Sequence, residues 1–279
     1  MMLTKLFDTL QLPGPEISAI AGKAEGTIYG LSVSERSTAK TVWKELRDRR
    51  KITGVWPVIL GDKYDLAEHR HRLEYHSDAD TKAIIRRGHT MDLDHWMEMA
   101  SLSVLRDVFS FQPFPEKLST GLDDIFLRPY SDPIYIGLIP FRVGWNAPAY
   151  LNFGGWNDCP APEVHSGLFQ RWNRMFSAEV FSITHHEVGL IVNHPPRDLT
   201  AAHELRLERF LYCPDYPDRI ENDDGYVENI LDKPFWSFSW PYPVDQDVSG
   251  FTSPDKASVV AQEPNYVQGE LFRTDGGHY

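Results

Sequence analysis

The sequence predicts an α+β fold in which helices flank a mixed β-sheet. Two observations indicate this class. Short runs rich in β-branched and aromatic residues alternate like strands, and longer runs carry apolar residues at helical spacing, with both kinds mixed along the chain. The composition of the 279 residues, 42% hydrophobic and 13% aromatic, is that of a folded globular protein and excludes a disordered one.

The N-terminal part begins with a predicted β-α-β arrangement. Residues 1–26 show no regular pattern, whereas residues 27–33 alternate like a strand. A helix is expected from about Ser37, and Gly54 ends it ahead of a short buried strand at residues 56–60. One face of this helix is apolar, and it carries Ala39, Val42, Trp43 and Leu46.

Residues 62–90 are highly charged and are predicted to be helical. Their charged side chains are interpreted as the solvated face of a helix. They are Glu68, His69, Arg70, His71, Arg72, Lys82, Arg86 and Arg87. Thr90 is predicted to be the N-cap of a longer helix, and residues 112–133 are rich in loop-forming residues.

A strand at residues 134–140 opens the C-terminal half, and the elements after it follow the order β-α-β-β-α-α-β. They are a strand at 149–153, a helix from Pro162, a hairpin of strands 178–184 and 188–192, helices at 199–212 and 225–231, and a strand at 235–240. The helix from Pro162 is expected to bury one stripe, formed by Val164, Leu168, Trp172 and Met175. The chain therefore divides into an N-terminal α/β region (1–133), a C-terminal α+β domain (134–244) and a polar tail (245–279).

The formal net charge is −12 and the pI is near 5.3. A field of this sign repels nucleic acid and anionic membranes, and it attracts a basic protein partner. No apolar segment is long enough to span a bilayer, and the first residues lack the apolar core of a secretory signal. Two cysteines fit a reducing compartment, so a cytoplasmic location is expected.

The most informative stretch is Gly154–Pro160, which holds one of the two cysteines. Pro160 and Pro162 suggest that Cys159 lies at a helix N-terminus, where the helix dipole would lower the pKa of its thiol. The candidate catalytic residues are Cys159, Asp158 and His185, although the charge of Asp158 opposes a thiolate. The histidines of the same half are His165, His185, His186, His194 and His203. The alternative is a small buried cysteine that only packs, with Asp158 as a capping residue.

A zinc site and a disulfide are weaker alternatives for the two cysteines. Cys159 and Cys213 with two histidines would supply four ligands, but no Cys-x-x-Cys or His-Glu-x-x-His spacing is present. His185 and His186 lie at the expected hairpin tip and are predicted to point to opposite faces. No metal is assigned, and no cofactor is expected, because phosphate-binding glycine motifs are absent. The candidate binding residues are Trp156, Asn157, Cys213, Asp215 and Trp236.

The C-terminal part carries a series of motifs, of which the pair of Cys-Pro motifs is the most specific. In order, they are Gly154–Pro160, Arg171-Trp172, Ala178–Val180, Pro195-Pro196, Tyr212–Asp215 and the strand Phe235–Trp240. Over about residues 145–242 these motifs resemble the bacterial domain of unknown function 4253 family. The family name carries no activity, so the resemblance implies a bacterial origin and a domain boundary only. The segment Tyr216–Arg219 departs from the family pattern, which leaves any shared role of that loop open.

Three functions are compatible with these observations. The first is a non-enzymatic protein-binding module with an acidic docking surface, of which a toxin-neutralising immunity protein is the example. The second is a cysteine-dependent enzyme that uses Cys159 with a nearby histidine. The third is a module stabilised by zinc or switched by redox chemistry.

Overall fold

A computed structural model describes residues 17–23, 26–34, 36–76, 79–107, 133–214 and 230–240. These residues form one seven-stranded sheet in the spatial order β1-β2-β4-β3-β5-β6-β7. Only β3 and β5 pair in parallel, so the sheet is mixed and the predicted α+β class is confirmed. The strands are β1 (Ile17–Lys23), β2 (Gly26–Val33), β3 (Trp56–Gly61), β4 (Ile134–Ile139), β5 (Ala178–Ile183), β6 (Glu187–Val192) and β7 (Phe235–Ser239).

Helices cover both faces of this sheet. Within β3, Ile59 faces one apolar cluster and its neighbours Val58 and Leu60 face the other, as the alternation of a strand requires. The first cluster packs under α1, and the second packs under α3, α6, α7 and α8. The helices are α1 (Arg36–Asp48), α2 (Arg50–Thr53), α3 (Lys63–Tyr75), α4 (Thr81–Thr90), α5 (Leu93–Asp107), α6 (Ala147–Leu151), α7 (Pro162–Phe176) and α8 (Leu199–Tyr212).

Several predicted elements are confirmed by the structure. The strand at residues 27–33 is β2, and the predicted apolar face of α1 is buried in full. The hairpin is formed by β5 and β6, and α8 ends at Tyr212, directly before Cys213 and Pro214. Residues 112–132 of the predicted loops, most of the helix at 225–231 and the tail at 245–279 lie outside the described residues.

Strand β4 lies between β2 and β3 and pairs antiparallel with both. Ile136 is opposite Leu31 on one side and Ile59 on the other. Strands that precede and strands that follow the predicted domain boundary therefore share one sheet. The division of the chain after residue 133 stays a prediction. The parallel contact of β3 with β5 is short, with Ile59 opposite Ser182. The indole N–H of Trp56 adds a hydrogen bond across this junction, to the carbonyl of Val180 at 2.9 Å.

The predicted strand at residues 149–153 is wrong, because this run is the end of helix α6 and the residues that follow it. An apolar run of five residues has no period that separates a strand from a buried helix. Pro148 in the first turn of α6 favours the helix, and Asn152 ends it with a left-handed φ of 46°. Strand β1 was not predicted, since it lies within residues 1–26, which showed no regular pattern.

Two helix details also differ from the prediction. Thr90 is the last residue of α4, and its hydroxyl donates to the carbonyl of Arg86 at 2.9 Å. The side chain that accepts from the first turn of α5 is Asp92, through the backbone N–H of His95 at 3.0 Å. In α7, Met175 is 50% exposed and Phe176 is buried in its place.

Candidate functional site

The loop Gly154–Pro160 joins α6 to α7 in a tightly closed conformation. The backbone N–H of Gly155 donates to the carbonyl of Pro160 at 2.9 Å, and that of Cys159 donates to the carbonyl of Trp156 at 2.8 Å. Gly154 has a φ of +108°, and a Cβ built on it would lie 2.0 Å from the Pro160 oxygen. Glycine is therefore required at this position, because no side chain fits and the backbone is left-handed.

The two sides of this loop have opposite character. Asn157 and Asp158 are exposed and Trp156 is half-buried, whereas Cys159 is only 3% exposed. Asn157 has a left-handed φ of 43°, a conformation that asparagine tolerates better than most residues. The N-cap of α7 is Ala161, which makes no side-chain capping bond, so Asp158 does not cap this helix.

Beneath the loop, Cys159, His165 and Tyr212 form a buried chain of contacts, called here the cysteine cluster. The Cys159 sulfur lies 3.6 Å from Nε2 of His165, and Nδ1 of His165 lies 2.6 Å from the Tyr212 hydroxyl. His165 comes from the first turn of α7 and Tyr212 from the last turn of α8. His165 thus stands where a base would stand beside a nucleophilic thiol, with Tyr212 as the group that orients it.

The electrostatics of the cysteine cluster oppose an ion pair. Burial raises the pKa of the Cys159 thiol well above its ordinary value, and the nearby Cys213 adds to the rise more than Arg72 offsets it. Burial also lowers the pKa of His165 from 6.5 to about 3. The shift of the thiol pKa has the opposite direction to the one expected for a helix N-terminus. At neutral pH the cluster is therefore an uncharged thiol, imidazole and phenol.

Cys213 is buried beside this cluster, and its thiol donates to the carbonyl of Ser239 at 3.2 Å. Both cysteines are free thiols. Within the part of the chain that the structure describes, no three histidine, cysteine or acidic side chains are grouped so that they could hold a metal ion. His194 and His203 are exposed, whereas both thiols are buried.

His185 does not stand beside Cys159 as its candidate base. It contacts Asp65 and His186 in a second group, called here the hairpin-tip cluster. Its ring Nδ1 and its backbone N–H both donate to Oδ1 of Asp65, the latter at 3.1 Å. The Nδ1 of His186 lies 2.7 Å from Nε2 of His185, so the prediction that the two rings point to opposite faces is wrong. The tight turn brings them together, with ring centroids 4.0 Å apart.

Asp65 joins this cluster to the start of α3. Its Oδ2 accepts from the backbone N–H of Asp62 at 3.1 Å, which completes a capping box at the first turn of the helix. A Cβ on Gly61 would lie 1.9 Å from the same oxygen, so only glycine leaves room for the carboxylate. Since a carboxylate only accepts, Nδ1 carries the proton of a neutral His185 and Nε2 accepts from His186.

Two further residues of α3 connect this helix with the hairpin, and both were interpreted as solvent-facing from the sequence. His69 is fully buried and its Nε2 donates to the carbonyl of Ile183 at 2.9 Å. Arg72 is 6% exposed and donates to the carbonyl of His185 at 2.8 Å. The guanidinium of Arg72 also lies 4.5 Å from the ring centroid of Trp156. Arg72 therefore links the hairpin tip to the loop, a role that the charged pattern of its helix concealed.

Trp236 does not contribute to the exposed surface of the loop. Trp236 is 1% exposed and packs edge-on against Trp172, so this aromatic strand forms core and not a binding surface. Asp215 lies outside the described residues. Of the candidate binding residues, only Trp156 and Asn157 are accessible in the described part of the chain, beside the exposed carboxylate of Asp158.

The fold and the site define a mixed-sheet α+β protein with a neutral thiol–imidazole–phenol cluster beneath an exposed loop. Residues 135–241 match the family model described as Domain of unknown function (DUF4253), which confirms the resemblance of the C-terminal part. The match extends from β4 to just beyond β7 and contains the whole cysteine cluster, whereas Asp65 and Arg72 precede it. No curated protein and no solved structure matches the chain. Among the described residues, no helix has the length and apolarity required to cross a membrane.

Proposed function

We propose that this chain is a non-enzymatic protein-binding module of the bacterial cytoplasm, which docks a basic protein partner as an immunity protein covers its toxin. The docking surface is centred on Trp156, Asn157 and Asp158 of the loop Gly154–Pro160. No cofactor takes part in the interaction.

The main support is that this loop is exposed at its tip and fixed at its base. Its three internal backbone hydrogen bonds and the buried Cys159 side chain fix its conformation. Arg72 lies against the Trp156 ring and restricts the indole from below. A loop that is already ordered loses little conformational entropy when it binds, so more of the contact energy appears as affinity.

The residue types at the tip are those of a binding surface. Tryptophan is enriched among residues that contribute most to interface energy, because it buries a large area with little loss of side-chain freedom. The carboxylate of Asp158 stands beside it on a chain of net charge −12. A basic partner would be steered to this surface and would pair with Asp158 on arrival.

Cysteine chemistry is the second candidate function, and one observation favours it. The 3.6 Å contact of Cys159 with His165 has the spacing of a nucleophile and a base. Against it stand the burial of the thiol and the opposite pKa shifts of the two groups, which disfavour proton transfer between them. The docking function ranks first because it needs only the exposed side of the same loop.

The test begins with native mass spectrometry of the protein purified at low salt from the organism that encodes it. A stoichiometric complex with a basic protein is expected. That partner is then isolated, and its dissociation constant is measured by calorimetry for the wild type and for Trp156→Ala and Asp158→Asn. We expect Trp156→Ala to weaken binding by about 2 kcal/mol, and Asp158→Asn to slow association and to reduce its salt dependence.

Matched controls come from the exposed face of α8. Leu207→Ala removes an apolar side chain that is 59% exposed, and Glu204→Gln removes an exposed carboxylate. Both control variants should bind like the wild type. The proposal is contradicted if no basic partner is retained, or if the loop variants and the α8 variants bind equally well.

A further inference from the structure

Helix α4 lines an open cleft of about 640 Å³, on a part of the surface that the docking proposal does not use. The opposite wall comes from the end of β4 and from α6. We call this cavity the α4 cleft. Its lining residues are Lys82, Ile85, Arg86, His89, Thr90, Pro140, Phe141 and Tyr150. A volume of this size is typical of small-molecule sites, which run from about 300 to 1,000 Å³.

The basic side chains of α4 share one face of the helix. Lys82, Arg86 and His89 are spaced by four and three residues, which places them above one another, and all three are exposed. Among the described residues, no ion pair joins Lys82 or Arg86 to a carboxylate. The neighbouring Arg87 differs, because its Nε lies 3.0 Å from Oε1 of Glu163. Within the described ranges, the cleft therefore presents two cationic side chains that no carboxylate pairs with, on a chain whose net charge is −12.

His89 is oriented from behind by a buried amide. Its Nε2 lies 2.9 Å from Oδ1 of Asn146, which is fully buried, and the amide oxygen accepts the bond. The Nδ2 of Asn146 is buried and has no hydrogen-bond partner in the described part of the chain. Because Nε2 donates to Asn146, Nδ1 is the ring nitrogen that is left to contact a ligand.

The facing wall is apolar and aromatic. Phe141 is 37% exposed and its ring centroid lies 6.2 Å from that of Tyr150, with Pro140 and Ile85 also lining the cleft. Cationic side chains on one wall and rings on the other match a ligand that carries an anionic group and a flat ring. Guanidinium and ammonium groups are the usual partners of phosphate, and aromatic side chains stack on bases.

We propose that the α4 cleft binds a small phosphorylated compound with an aromatic ring, of the chemical type of a nucleoside monophosphate. Lys82 and Arg86 pair with the phosphate, and Phe141 presents the exposed ring that contacts the ligand, since Tyr150 is only 3% exposed. The site does not involve the loop Gly154–Pro160. Its success or failure is therefore separate from that of the docking proposal.

The test is calorimetric titration of the full chain with AMP, adenosine and inorganic phosphate at low salt. AMP is expected to bind at least tenfold more tightly than either fragment, and its affinity should fall as salt rises. Arg86→Gln and Lys82→Gln should each weaken AMP binding at least fivefold, and Phe141→Ala should weaken adenosine and AMP alike.

Arg87→Gln is the matched control, since it removes the same charge one residue further along the same helix and outside the cleft. It should bind AMP like the wild type, and circular dichroism should show equal helix content in all variants. Three results would each overturn the proposal: no binding of AMP, equal binding of AMP and inorganic phosphate, or an effect of Arg87→Gln as large as that of Arg86→Gln.

Discussion

The cysteine cluster and the hairpin-tip cluster share one pattern of contacts and differ in charge. In each, both ring nitrogens of a histidine have partners: Cys159 and Tyr212 for His165, and Asp65 and His186 for His185. The first set is uncharged and fully buried. The second holds a formal carboxylate, and its His185 side chain is 19% exposed. The comparison teaches that a chain of contacts resembling a catalytic triad does not define reactivity, because burial and formal charge decide which groups can ionise.

The largest expected effect concerns the reactivity of the thiols. In the folded protein both thiols should react with a disulfide reagent at pH 8 at least about a thousandfold more slowly than free cysteine, because a buried sulfur is reached only after local opening. Absorbance of the released thiolate measures the rate, and urea should restore both thiols to full reactivity. Cys213→Ser isolates Cys159. A rapid reaction of Cys159 in that variant would contradict the conclusion that the cysteine cluster is uncharged. Cysteine chemistry would then become the first-ranked function.

The next effect tests the charged cluster through Asp65→Ala. This change removes Asp65 as acceptor for the partly buried backbone N–H of His185 and removes the capping box of α3, so we expect a loss of about 3 kcal/mol in the free energy of unfolding. Asp65→Asn should cost less, because an amide oxygen can still accept. Urea unfolding at pH 7 measures both. Asp94→Ala is the control, since it breaks only an exposed pair with Arg171 and should cost less than about 1 kcal/mol. Equal losses for Asp65→Ala and Asp94→Ala would show that the hairpin-tip contacts add no stability.

The third effect is the pH dependence of stability. Burial lowers the pKa of His69 and of His165 from 6.5 to about 3, so the folded protein keeps both rings neutral where the unfolded chain takes up protons. Above pH 6.5 these two histidines should therefore not change the free energy of unfolding with pH. It should fall as the pH is lowered towards 3, by about 1.4 kcal/mol per pH unit for each histidine.

Urea unfolding at pH 7.0, 6.0 and 5.0 measures this slope. His165→Gln should remove about half of the histidine contribution, and His69→Gln gives an independent test if the first variant is too unstable. His203→Gln changes an exposed histidine and should leave the slope as it is in the wild type. An unchanged slope in both buried-site variants would show that these imidazoles do not stay neutral.

Elements whose sequence pattern lies within one short stretch of the chain were predicted well. The stripe of Ala39, Val42, Trp43 and Leu46 is read from α1 alone, and the end of α8 follows from Pro214. The wrongly predicted strand also has its cause within a short stretch of sequence. The run at residues 149–153 is too short and too apolar for its period to separate a strand from a helix, and Pro148 was the better signal.

The site was predicted only where its residues are close in the chain. Gly154–Pro160 was found because its glycines, proline and cysteine are adjacent. The partner of His185 was missed because Asp65 is 120 residues away and its position depends on the pairing of β3 with β5. Arg72 and His69 fit the pattern of a solvent-facing helix surface, because the sequence alone does not distinguish a buried polar side chain from an exposed one. A capping box at Asp62 and Asp65 was the available signal, and it pointed to a helix start alone.

The position of β4 has a consequence for the order in which the protein folds during synthesis. The ribosome completes β2 and β3 well before residues 134–139, yet β4 is the strand that pairs with both of them. Until β4 has left the exit tunnel, the facing edges of β2 and β3 have no strand between them. Unpaired edges of this kind are sites of wrong association between nascent chains. Strands β2 and β3 therefore depend on β4 to become part of one continuous sheet.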